Sequence, residues 1–303
     1  MDTGTTSTVA ETLERAARAL GTHSESPRLD AELLLCEVTG WTRPALRVRG
    51  DEALAAPRRA AFDGLISRRA QGVPVAYLTG GREFWSLSLA VTPDVLVPRP
   101  ETELLVERAL ALLPADAFAS VLDLGTGSGA IALALAAERP RAHITAVDVS
   151  EPALAVARRN GVNLGLQRID WRLGSWFAAV AGSRFDLVLA NPPYVASGDA
   201  ALERLGAEPM LALTPGPTGL EALTEIIEGA AAHLHPHGWL LLEHGGDQAD
   251  TVAGLLDTHG FADIGTYADI SDRPRVTLGA IRPRREPRAT SITHRIIHHK
   301  ERP

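Results

Sequence analysis

The feature that most constrains this chain is a change of periodicity at Ser120: from there to residue 281, short apolar runs alternate with helical patterns. Val121-Leu122-Asp123-Leu124 is apolar but for Asp123 and too short for a helix, and a helical pattern follows it to Arg139. Residues 143–149, 171–173, 185–190 and 239–243 are further short runs of strand type. Helical spacing occupies 152–163, 220–234 and 249–258, and the segments 261–268 and 275–281 read as closing strands. Near-continuous apolar strands are covered on both faces. Their regular alternation with helices predicts an α/β fold with a doubly wound, mostly parallel sheet.

Upstream the texture differs. A length of 303 residues suits about two domains. Thr8 and Glu11 have capping-box spacing, with Val9, Leu13, Ala16, Ala17 and Leu20 following at helical intervals. Ser26 and Pro27 predict a second helix that turns Leu29, Leu33 and Cys36 inward and ends near Gly40. A third runs over 57–71 with Phe62, Leu65 and Ile66 on one face. Residues 75–97 mix Val, Tyr, Phe, Trp and Leu with turn formers, which favours short strands. The expected organisation is a helical N-terminal domain over 8–73, a β-hairpin linker over 74–98, an α/β domain over 99–282 and a disordered tail over 283–303. Residues 1–7 are likewise expected to be disordered.

Composition removes several classes. Cys36 is the one cysteine, so an intramolecular disulfide and a thiolate metal cluster are excluded. No run of 18 apolar residues exists, and residues 1–20 lack the pattern of a signal peptide, so a cytoplasmic location is expected. A net charge of -7 argues against a generally phosphate-seeking surface.

Gly125-Thr126-Gly127-Ser128-Gly129 follows one strand and opens a helix. Glycines there permit positive φ and close approach to a ligand, and a helix N-terminus offers unpaired amides. Asp148 ends the next strand, where a carboxylate can accept from both ribose hydroxyls. Asp123 is a carboxylate in an apolar strand and needs a partner. Together they predict an adenosine-containing ligand, with NAD and S-adenosylmethionine both fitting so far. The blander roles are a tight strand-to-helix turn and, for Asp148, a helix cap, although Ser150 suits that better.

Asn191-Pro192-Pro193-Tyr194 leaves the carboxyl end of the strand at 185–190, where open α/β sheets bind ligands. Consecutive prolines fix φ and remove donors, leaving rigid acceptors. The Asn191 side-chain oxygen and Pro192 carbonyl can hold the two hydrogens of a substrate NH2 group, and Tyr194 offers a ring to a planar amide or base. An amide nitrogen is a poor nucleophile, so orientation and electrostatic preorganisation have to supply the catalysis. The alternative role is a strand-ending turn with a core tyrosine.

These two motifs resemble the class I S-adenosylmethionine-dependent methyltransferases that act on planar nitrogens: DNA adenine-N6, ribosomal-RNA guanine-N2 and protein-glutamine enzymes. The motif pair alone does not choose among them. Pro74-Val75-Ala76-Tyr77-Leu78-Thr79-Gly80, Glu83-Phe84 and Val95-Leu96-Val97-Pro98-Arg99-Pro100-Glu101-Thr102-Glu103 are similar to the release factor glutamine methyltransferase family. The similarity continues through Gly174-Ser175-Trp176-Phe177 and Glu208-Pro209. It implies a seven-stranded sheet with one antiparallel strand, S-adenosylmethionine as cofactor, and the glutamine of a release-factor Gly-Gly-Gln loop as substrate, recognised with the helical domain. By this resemblance Gly125, Thr126, Gly127, Ser128 and Gly129 cradle the cofactor, Asp148 holds its ribose, and Trp176 and Asn191 line its pocket. Asn191, Pro192, Pro193 and Tyr194 hold the glutamine, with Asn191, Pro192 and Tyr194 as the catalytic set. Pro100-Glu101-Thr102-Glu103 favours the release-factor enzyme over the related one that modifies a ribosomal protein, and Thr218-Gly219-Leu220 departs from the acidic residue many relatives carry there.

A nucleic-acid base methyltransferase needs a base-flipping pocket with basic and aromatic residues interleaved, and only 5% of this chain is aromatic. A cofactor-sensing regulator has no need of the Asn191 turn. No membrane partner and no sequence-specific nucleic acid binding are expected. No metal is expected either: His233, His235 and His237 read as solvated histidines at a helix end.

Overall fold

The computed structural model describes residues 7–116 and 118–281 and the backbone of 295–297. It divides into a helical unit reaching to Gly81, with 204–207, and a larger α/β unit. The helical unit consists of α1 (Val9–Leu20), α2 (Pro27–Thr39), α3 (Arg43–Val48), α4 (Ala56–Ala70) and α5 (Val75–Thr79). The capping box forms: Glu11 N–H donates to Thr8 Oγ1 at 3.2 Å and Thr8 N–H to Glu11 Oε2 at 2.9 Å. Leu13, Leu20, Leu34, Leu35, Leu46 and Phe62 make the core.

Three expectations for this region are corrected. On α2 the buried face is Ala31, Leu34 and Leu35, with Cys36 packed against the same core as expected, rather than Leu29 and Leu33, because the run Leu33-Leu34-Leu35 leaves the facing ambiguous. Pro27 does open α2, but the Ser26 side chain makes no cap; Ser24 Oγ accepts from Ser26 N–H at 3.0 Å instead. Residues 75–79 are helical, not extended. Tyr77 and Leu78 N–H groups donate to Pro74 O, Gly80 ends the turn at φ 71°, and burial of Leu78 overrides the strand preference of Val75 and Tyr77.

The larger unit begins with the hairpin β1 (Gly81–Phe84) and β2 (Leu87–Ala90). Its two turn residues, Trp85 and Ser86, both have positive φ, the twist a two-residue hairpin needs. After α6 (Glu103–Leu112) the strands β3 (Ser120–Leu124), β4 (His143–Asp148), β5 (Asp170–Leu173), β6 (Phe185–Ala190) and β7 (Leu234–Glu243) alternate with α7 (Ala130–Glu138), α8 (Glu151–Asn163), α9 (Ala201–Arg204) and α10 (Glu221–His233). Then come α11 (Ala249–Thr258), β8 (Phe261–Ala268) and β9 (Pro274–Ile281). The sheet order is β8-β9-β7-β6-β3-β4-β5, parallel except that β9 runs against both neighbours, as the resemblance implies. Alternate residues of each central strand feed different cores: Val121, Leu187 and Leu189 one, Leu122, Val188 and Ala190 the other, so both faces are covered by helices.

An addition concerns the tail. Arg295–Ile297 forms β10, pairing in parallel with β8 at the sheet edge, where no structure was expected. The remainder of 283–303 and residues 1–6 lie outside the described residues.

Candidate active site

Strand register places the candidate residues in one row. Val147 pairs with Leu124, Leu124 with Ala190, and Ala190 with Leu242 across β4, β3, β6 and β7. The next residue on each strand is therefore Asp148, Gly125, Asn191 and Glu243, all at the carboxyl edge of the sheet. Because the chain winds from β3 out to β5 and returns to β6, this is the switch point where doubly wound sheets open a crevice. A cavity of ≈ 400 Å³ lies there. Gly125, Thr126, Gly127 and Ser128 line it, with Asp148, Trp176, Asn191 and Pro193. Gly129, Pro192 and Tyr194 are not in its wall.

The glycine turn is built by internal hydrogen bonds. Gly125 and Thr126 N–H donate to Val147 O at 2.9 and 3.0 Å, Gly129 N–H to Thr126 O at 2.8 Å, and Gly127 N–H to Asp148 Oδ2 at 2.8 Å. Four amides are thus committed within the protein, which corrects the expectation that the turn offers them to an anion. The three glycines have φ of 73°, 56° and 83°. A Cβ on Gly127 would meet nothing within 4 Å, whereas one on Gly129 would meet Trp171, Ala157 and Leu133 at 3.0–3.1 Å. Gly129 lets α7 close onto the sheet, and this is why it stands behind the cavity. Trp176, itself at φ 42°, lies with its ring edge 3.3 Å from the Cβ position of Gly125.

Two carboxylates support the turn. Asp148 accepts from Gly127 and Ser150 N–H; burial raises its pKa, and these amides pull it back. Ser150 Oγ caps α8, accepting from Ala153 N–H at 3.2 Å, so Asp148 has no need to. Asp123 is wholly buried, accepts from Thr126 Oγ1 at 2.6 Å through Oδ2, and has no hydrogen bond on Oδ1. Burial pushes its pKa up to about 7.

The turn after β6 is held on several sides. Asn191 Nδ2 donates to Thr102 Oγ1 at 3.1 Å. Tyr194 O accepts from Gln248 Nε2 at 3.1 Å, and Tyr194 O–H reaches Glu243 Oε1 at 3.4 Å. Burial raises the tyrosine pKa further, with the nearby Glu243 charge second. Val195 N–H donates to Leu213 O at 3.0 Å. The Tyr194 hydroxyl is therefore directed at Glu243, and the Pro192 ring is buried.

Sequence reasoning missed several groups here. Arg99, Thr102, Glu221 and Glu225 line the cavity. Arg99 pairs with the buried Glu208, whose other oxygen faces Val97 N–H. The Thr218 amide holds Glu221 below the usual carboxylate range, closing the loop where Thr218 departs from the family pattern. Glu103 accepts from Trp85 N–H at 2.9 Å. The signal for Glu243 was available: an acidic residue closes the apolar run Leu240-Leu241-Leu242, as Asp148 closes β4. Among the described residues no cluster of metal-ligating side chains occurs; His233 stacks on Phe177 with centroids 4.5 Å apart.

Comparison with known proteins adds two family matches: the PrmC N-terminal domain over residues 11–80 and the methyltransferase small domain over residues 100–244. The release factor glutamine methyltransferase of Xylella fastidiosa is 48% identical over 254 residues, which is 83% of this chain and 92% of that protein. That of Pseudomonas aeruginosa is 48% identical over 258 residues, 84% of this chain and 93% of that protein. Among solved structures, the T. thermophilus 16S rRNA N2 G1207 methyltransferase, in complex with AdoMet and guanosine, has a TM-score of 0.52 at 21% identity. It covers 67% of this chain and 50% of that one, a likeness of fold.

Proposed function

The chain belongs to the release factor glutamine methyltransferase family, and from that premise we propose that it methylates the side-chain amide nitrogen of the glutamine in a release-factor Gly-Gly-Gln segment. The observation that carries this reading is the row itself: strand register sets Asn191 directly beside the glycine turn, with both on one cavity wall.

The residues fit S-adenosylmethionine better than a dinucleotide. A pyrophosphate needs free amides at the helix start, and four of those in this turn are already bonded internally. The open space over Gly127 leaves room for backbone approach. Asp148 keeps lone pairs beyond its two backbone bonds, enough for the vicinal hydroxyls of a ribose. The orphaned Oδ1 of Asp123 beneath the turn adds negative character suited to a cationic ligand. When bound, S-adenosylmethionine supplies an electrophilic methyl group on a sulfonium.

The protein's own part is orientation. Asn191 Nδ2 is engaged by Thr102, which leaves Asn191 Oδ1 to accept one amide hydrogen of the glutamine, and the Pro192 carbonyl accepts the other. Two acceptors on the NH2 group fix the nitrogen in place and stabilise the positive charge that develops as it is methylated. Tyr194 acts from behind the wall, tying the turn to β7.

The test is intact-mass spectrometry of a release factor incubated with the protein and S-adenosylmethionine, followed by peptide mapping. One methyl on the Gly-Gly-Gln glutamine is expected, and Asn191→Ala should lower turnover about 10²–10³-fold while cofactor affinity stays unchanged. A wild-type protein that binds cofactor and leaves that glutamine unmodified would sink the proposal.

A further inference from the structure

Glu243 is fully buried at the end of β7, in the same row as Asn191, and it does not line the cavity. Its surroundings are mixed. Tyr194 O–H reaches Oε1 at 3.4 Å, the Thr102 hydroxyl lies close enough to lower the Glu243 pKa, Arg275 and Glu101 act from further away, and Oε2 has no hydrogen bond. A carboxylate without a compensating charge pair is costly to bury, so its retention calls for a reason beyond packing.

Hydrogen-bond direction gives that reason. An ionised carboxylate only accepts, so with Glu243 charged the Thr102 hydroxyl must point its hydrogen at it. The Thr102 oxygen then presents a lone pair to its other neighbour. That neighbour is the Asn191 NH2 end, at 3.1 Å. With the nitrogen end engaged, the oxygen end of the same planar amide is turned the other way. If Glu243 carried a proton, the chain could reverse: Glu243 donates to Thr102, Thr102 donates to Asn191, and the amide turns over. Its NH2 would then meet the NH2 of an incoming glutamine, donor against donor.

We propose that Glu243 and Thr102 are positioning residues for the transfer, together holding the Asn191 side chain with its acceptor oxygen toward the substrate amide. This rests on the methyltransferase reading above. Neither residue need touch the reacting atoms. Burial pushes the Glu243 pKa up to about 7, with Thr102, Arg275 and Tyr194 pulling it down and Glu101 raising it, so the direction of the chain changes near neutral pH.

Four variants and a neutron crystal structure test it. Glu243→Gln and Thr102→Val should each lower kcat about 100-fold by misorienting one group, with cofactor affinity unchanged. Thr102→Ser should restore wild-type kcat, and the double variant Thr102→Val/Glu243→Gln should be no slower than either single, as members of one chain are not additive. Wild-type kcat should rise with pH through about 7, and that limb should vanish in Glu243→Gln. In a neutron crystal structure of Glu243→Gln, which distinguishes the two ends of an amide, the Asn191 oxygen rather than its nitrogen should face Thr102. A variant structure with the Asn191 bond intact, or Glu243→Gln with wild-type kcat and pH profile, overturns the inference. A wild-type protein inactive on release factors would instead remove the reading beneath it, while the Asn191 orientation would still decide this point.

Discussion

Gly127 and Gly129 stand two positions apart in one turn, and their surroundings assign them different work. Both have positive φ, so an alanine at either strains the backbone by about 1 kcal/mol. At Gly129 the added methyl would also press on Trp171, Ala157 and Leu133 at 3.0–3.1 Å, and overpacking a core adds about 1–3 kcal/mol. Gly129→Ala is therefore expected to lower the urea midpoint strongly. Gly127→Ala should lower the midpoint only by its backbone strain yet bind S-adenosylmethionine weakly, because its methyl projects into the open space of the cavity wall. Isothermal titration beside urea unfolding separates the two; equal losses of both properties in both variants would refute the division. The pattern of glycines announced a ligand turn, but only the neighbours brought by α8 and β5 tell which glycine serves packing.

Asn160 shows how the hairpin is attached to the site's scaffold. From the buried face of α8 its Oδ1 accepts from Ala90 N–H at 2.8 Å, while Nδ2 donates to Ala90 O at 3.0 Å and to Ser128 O at 2.9 Å. One side chain thus binds β2 and the glycine turn to the same helix. Asn160→Ala strands an amide and two carbonyls, a cost of about 1–3 kcal/mol for each buried group left unsatisfied. Faster amide exchange in 81–90 and 125–129, with α10 and α11 protected as in wild type, is the expected outcome; unchanged exchange in the hairpin would show that other contacts hold it. The repeating strands and helices were readable from periodicity because each buries a continuous face. What escaped was short or depended on distant partners. α3 is six residues long, with Thr42 as cap and Pro44 in its first turn the local hints. The 3-10 turn from Trp176 to Val180 rests on a positive φ at Trp176 that no residue pattern encodes. In the candidate site, Asn191 and Asp148 were found through motifs. Thr102 and Glu243 were not, since their relation to Asn191 exists only once β7 and α6 are packed beside β6.

The buried carboxylates also set how the molecule as a whole responds to pH. Asp123 gives up its proton at about pH 7 when folded, against about 3.9 for an unfolded aspartate. Between these values the folded chain holds a proton that the unfolded chain has lost, so the associated stability is complete below about pH 4 and is lost as pH rises to about 7. This amounts to about 4 kcal/mol, a large part of the 5–15 kcal/mol that typically separates folded from unfolded chains. Glu243, also raised to about 7, acts with the same sign. Glu32 and Asp269 act oppositely: arginine partners hold them below the usual carboxylate range against the burial that raises them, so their contribution is lost only at the acid end. Through Asp123 and Glu243 the ligand-free chain is therefore expected to lose stability from pH 5 to pH 8, with buried His244, whose pKa burial lowers, offsetting part of that loss. Asp123→Asn, which cannot ionise and keeps an acceptor for Thr126 Oγ1, should flatten that dependence in urea unfolding measured at both pH values. Saturating S-adenosylmethionine should restore stability at pH 8 more in wild type than in the variant, because binding a cation beside Asp123 offsets the ionised carboxylate. Equal pH slopes in the two proteins would mean that Asp123 is ionised at low cost and that its orphaned oxygen has a partner in solution.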